Sequence, residues 1–63
     1  MILMEEAHRR IGAKVVYRPG HVSQREPGEE GVITSVGMAH VFVRYGSDRT
    51  SKATRPTDLE FVT

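Results

Sequence analysis

No cysteine occurs in the 63 residues of this chain, so neither a disulfide nor a thiolate metal site can staple it, and it must fold by packing alone. A chain this short forms one domain and buries only about 60% of the surface it exposes when unfolded. Every apolar residue in a periodic position is therefore wanted for the core. The missing cysteines also fit a reducing, cytoplasmic setting. The opening apolar run, Met1 to Met4, stops at Glu5 and Glu6, far short of a signal-peptide core or a membrane span. The reading is of a soluble protein with no membrane contact.

The first segment, residues 2–11, carries helix marks. Met4, Ala7 and Ile11 form an apolar stripe, and Glu5–Arg9 and Glu6–Arg10 are acid-first pairs four residues apart. Gly12 supplies a stop. Ten residues do not hold a helix alone in water, so residues 1–11 either dock on the remainder as a short helix or fray.

From Lys14 the pattern turns to β-structure. "KVVYR" (14–18) reads as a first strand closed by Pro19-Gly20, and the polar stretch 21–30 reads as a long exposed loop. "GVITSV" (31–36) and "HVFVRY" (40–45) read as paired strands, with Gly37 supplying the positive φ of a tight hairpin. "SKAT" (51–54) is a short fourth strand. Pro56 and Asp58 predict a 3-10 turn, and "EFV" (60–62) a fifth strand. The expectation is an all-β fold: a small five-stranded SH3-like barrel over residues 12–63. Its predicted core is Val15, Tyr17, Ile33, Val36, Val41, Val43, Tyr45, Ala53, Leu59 and Phe61.

Gly12, Val15, Tyr17 and Gly20 in "GAKVVYRPG" resemble the opening of the KOW motif, in which a glycine precedes two inward apolar residues and a second glycine. Gly31, Ile33 and Val36 resemble its second half, although the loop between is longer than the usual KOW turn and Ala13 stands where an acid is frequent. KOW-type barrels touch RNA, ribosomes or RNA polymerase, so the resemblance implies contact with nucleic acid or with a transcription or ribosomal complex. Through "VVYRP", "EEGVITSV", "VFVRYGSD" and "SKATRPTDLE" the chain also resembles small bacteriophage and prophage proteins of unassigned activity, which implies a bacterial host cytoplasm and a structural or interaction role. The signalling SH3 and methyl-lysine cage modes need more aromatics than the four present.

The formal net charge is only +1, so any electrostatic site must be local. Residues 40–55 hold Arg44, Arg49, Lys52 and Arg55 against Asp48 alone. In an alternating strand Val41, Val43 and Tyr45 face the core while His40, Phe42 and Arg44 face away. An outward Phe42 offers a stacking platform for a base or an anchor for a protein; alternatively it packs beneath the N-terminal segment, against Leu3, Met4 or Ile11.

The candidate partner-binding residues are therefore Arg18, His40, Phe42, Arg44, Arg49, Lys52 and Arg55, the cations serving phosphates or forming a solvated rim. Glu26, Glu29 and Glu30 pair across the barrel, mediate a contact between molecules, or keep a loop soluble. His8, His21 and His40 lack metal-site spacing, and the serines lack a nucleophile context. The sequence reads as a non-catalytic binding module without metal or cofactor, its partner a nucleic acid or a protein, its state monomeric or weakly homo-oligomeric.

Overall fold

A computed structural model describes residues 1–19 and 28–62. These contain helix α1 (Met4–Arg9), strands β1 (Lys14–Tyr17), β2 (Glu29–Val36), β3 (Val41–Tyr45), β4 (Lys52–Thr54) and β5 (Leu59–Phe61), and a 3-10 turn over Pro56–Asp58. Of the loop expected over residues 21–30, residues 21–27, with Glu26, lie outside the described residues. Its last two members, Glu29 and Glu30, belong instead to β2, which extends to pair with β1 through Tyr17 opposite Glu29.

All pairings are antiparallel, in the order β4-β3-β2-β1-β5. β4 and β5 are the two edges, so the five strands form an open sheet, and the expected barrel closure is not seen. No ladder joins β4 to β5 among the described residues, and each edge strand is only three residues long. A register shift at Ile33/Ser35 leaves Thr34 as an extra residue in β2, a bulge that increases local twist. Its hydroxyl donates to the Phe42 carbonyl at 3.2 Å and also pairs with the Ser51 hydroxyl, tying β2 to the chain entering β4.

Period-two burial follows the predicted strands closely. Val15, Ile33, Val41, Val43, Tyr45 and Leu59 are buried, with Tyr17, Val36 and Phe61 packed half-buried against them. Ala53 does not join them. Val41 pairs with Thr54 and Phe42 with Ala53, so Thr54 takes the inward place and Ala53 is exposed. The length of the connection after Tyr45 sets this register, and one residue of slip exchanges the two faces.

The N-terminal segment docks. Ile2 is 3% exposed and Ala7 fully buried in the same cluster, and the Ile2 N–H donates to the Pro56 carbonyl at 3.0 Å. α1 is shorter than the predicted 2–11, because Gly12 takes φ 97°, a left-handed turn that glycine adopts without strain. The chain then pairs at once with β2, Gly12 N–H to the Ile33 carbonyl (2.8 Å) and Ile33 N–H to the Ala13 carbonyl (3.1 Å). Ile11, released from the stripe, is 55% exposed.

Of the two predicted helix pairs, Arg9 meets Glu5 at 2.7 Å. Glu6 instead accepts the Leu3 N–H at 3.1 Å, as a helix-capping carboxylate does, while the Arg10 guanidinium lies 3.9 Å above the Phe61 ring.

Gly37 does not take the positive φ expected of it; among the described residues the glycines that do are Gly12 and Gly46. The β2–β3 connection is a longer loop, closed by the Gly37 N–H donating to the His40 carbonyl at 2.8 Å. Gly37 is needed for space: a Cβ there would lie 3.0 Å from the Phe42 ring.

Candidate binding cleft

An open cleft of about 680 Å³ runs along the β4 side of the sheet. Tyr17 and Tyr45 both line it, their ring centroids 6.1 Å apart at 68°, an edge-to-face pair. Tyr45 ends β3 as an inward residue, and its hydroxyl lies 2.8 Å from the buried Thr54 hydroxyl. The Thr54 hydroxyl also donates to the Lys52 carbonyl at 3.3 Å; it then accepts from the neutral Tyr45, and it can turn to donate to the ionised phenol.

Around this pair the charges divide by origin. His40, Lys52 and Arg55 come from the β3–β4 side, and Glu29 and Asp58 border the end of β1 beside Pro19. Asp58 is anchored there because its carbonyl accepts the Arg18 N–H at 2.7 Å. Lys52 also meets Asp48 at 3.7 Å, with both side chains largely exposed, a contact worth little in water.

The seven residues predicted from sequence are not one patch. His40, Lys52 and Arg55 converge on the cleft. Arg44 lies on the opposite, outward face of the sheet, lining a smaller depression of about 190 Å³ with Lys14, Glu30 and Val32. Phe42 is half-buried on that outward face against Gly37. Arg18 is exposed just beyond β1, and Arg49 in the β3–β4 connection.

His40 parts from Phe42 and Arg44 because β3 begins only at Val41, so strict alternation does not reach it. Sequence reasoning assigned Tyr17 and Tyr45 to the core, where Tyr45 is buried and Tyr17 half-buried, and missed that both also border the cleft. The available signal was their position at strand ends, where the sheet meets its surroundings. Among the described residues, no three of His, Asp and Glu gather closely enough to hold a metal ion, and no helix is long and apolar enough to cross a membrane.

Burial raises the Tyr45 phenol above its ordinary 10.0; the Thr54 hydrogen bond opposes the shift, and Glu29, Tyr17 and Asp58 add to it. Above pH 10 the unfolded phenol has therefore released more proton than the folded one, so stability falls as pH rises through that range. Tyr45→Phe should remove this dependence and cost about 0.5–1.5 kcal/mol at neutral pH, the usual worth of one hydrogen bond. Urea unfolding at neutral and alkaline pH measures both.

The chain matches no protein-family model, no curated protein and no solved structure.

Proposed function

We propose that this chain is a non-catalytic binding module on an open, SH3-like sheet, and that its ligand is an extended segment of a protein partner held in the Tyr17–Tyr45 cleft. The observation that carries this reading is the mixed lining: aromatic edges, the cationic Lys52 and Arg55 with His40 on one side, and the carboxylates Glu29 and Asp58 on the other. A polyanion gains from the first set and is repelled by the second, whereas a peptide offers both charges and apolar side chains at short spacing. The split of the basic residues between two faces points the same way. The likeness to phage and prophage proteins and the lack of cysteine support a bacterial cytoplasmic setting.

The test is a two-dimensional NMR titration, first with a random-sequence peptide library and then with its tightest binders. Shifts at Tyr17, His40, Tyr45, Lys52 and Arg55 are expected, from peptides that carry an acid and a base a few residues apart. Double reversal, Lys52→Glu with Arg55→Glu, should weaken such peptides about tenfold or more, since like charges then face the peptide acid. The reading fails if the peptides leave the cleft unchanged while a mixed-sequence single-stranded oligonucleotide gives salt-sensitive shifts at Phe42 and Arg44, the outcome a nucleic-acid partner requires.

A further inference from the structure

The outward face of the sheet carries a charge pattern that the cleft does not use. Lys14 and Arg44 flank Val32 in the register of β1, β2 and β3, forming a cationic row. One pleat along, Glu60 and Glu30 flank Val16 in the register of β5, β1 and β2, forming an acidic row. The two rows are about 7 Å apart along the strands.

The four charged side chains are exposed, while Val16 and Val32 are half-buried. Although opposite charges share the face, none of the four pairs with another described residue: among the described residues the ion pairs are Arg9–Glu5 and Lys52–Asp48. The depression between the rows is lined by Lys14, Arg44, Glu30 and Val32 together, so it is not a cationic site. A free phosphate placed between Lys14 and Arg44 would stand beside Glu30.

We infer that this face is self-complementary and that a second copy of the chain docks on it, face to face, about a two-fold axis running parallel to the rows. Such an axis lays the cationic row of each copy over the acidic row of the other, as an isologous contact requires. The strand order then sets the partners. β1 lies between β2 and β5, so Lys14 enters between Glu30 and Glu60 of the second copy, and Arg44 lies beside Glu30. The aliphatic stems of Lys14 and Arg44 cover the half-buried valines.

The two rows cross only four strands, set about 4.8 Å apart, so the contact falls well short of the roughly 1,200 Å² that a stable complex buries over both partners, and the dimer is weak and transient. No residue of the face lines the cleft. Both clefts stay open in the dimer, which makes it bivalent toward a partner with repeated sites.

Sedimentation of the whole chain across concentration, at about 20 mM and about 0.5 M salt, tests this, because exposed charge contacts are screened over that range. A monomer–dimer equilibrium is expected at low salt, with a dissociation constant raised about tenfold or more at high salt. Lys14→Glu with Arg44→Glu makes the face wholly acidic and should leave a monomer at all concentrations. Adding Glu30→Lys and Glu60→Lys exchanges the rows, restores the net charge and should restore the dimer.

A wild-type chain that stays monomeric at low salt overturns the inference, as does an all-acidic variant that dimerises like wild type. Because the wild-type salt series involves no substitution, the conclusion does not depend on the variants folding.

Discussion

Leu59→Ala is expected to lower stability by about 2–5 kcal/mol, the range for removing a large aliphatic side chain from a rigid core. A 63-residue chain has about 3–9 kcal/mol in total, so the variant should be largely unfolded in mild denaturant and partly unfolded without it. Leu59 is fully buried and stands where three parts of the structure meet. It follows the 3-10 turn whose Pro56 carbonyl holds Ile2, it opens β5, and it pairs with Tyr17 of β1. The cavity should therefore loosen the N-terminal segment as well as the strand. Circular dichroism in a urea series gives the magnitude. Hydrogen exchange at Ile2 tests the coupling, and a variant that loses stability while Ile2 stays protected would separate the two.

The strands were legible because period two and a richness in β-branched and aromatic residues need only the sequence: Val15, Ile33, Val41, Val43 and Tyr45 take alternate places in their strands, and each is buried. The 3-10 turn was legible through Pro56, whose ring fixes φ. What sequence left open was set by contacts between distant segments. Ile2 carries no periodic mark, and its burial follows from one backbone bond to Pro56. Ala53 and Thr54 look alike to an alternation rule, and only their pairing with Phe42 and Val41 separates them. Barrel closure depends on two edge strands meeting, which local pattern does not encode.

The candidate site was legible in its cations and not in its shape. His40, Lys52 and Arg55 could be named from their local excess of charge, but Glu29 is far from them in sequence and reaches the cleft through β2, while Asp58, close to Arg55 in sequence, is set on the other side of it by the 3-10 turn. The same is true of the outward face. Lys14 and Arg44 are thirty residues apart in the chain and become neighbours of Val32 only through ladder register. Arg44 was read as part of one basic patch with Lys52. Yet β3 and β4 carry them on opposite faces, because Arg44 alternates with buried Val43 whereas Lys52 is paired with it.

Gly31→Ala should be strongly damaging although it adds rather than removes atoms. Gly31 is buried in β2 opposite Tyr45, and its φ is ordinary, so the demand is for space rather than for a special backbone angle. A Cβ built there would lie 2.5 Å from Val43 Cγ1, 2.8 Å from Tyr45 Cδ1 and 2.9 Å from the Arg44 carbonyl oxygen. The side chains can turn to some extent, but the carbonyl belongs to the β3 backbone and can yield only if the two strands separate. Overpacking of this kind costs about 1–3 kcal/mol, and more where backbone must move. The strain falls on Tyr45, so the variant should also disturb the hydroxyl contact with Thr54 and the Tyr17–Tyr45 pair that floors the cleft. Urea unfolding measures the first effect, and the aromatic NMR signals of Tyr17 and Tyr45 the second. Unchanged stability would mean that β2 and β3 can move apart at Gly31 without cost, and that the close approach of the two strands there does not help to hold the cleft in shape.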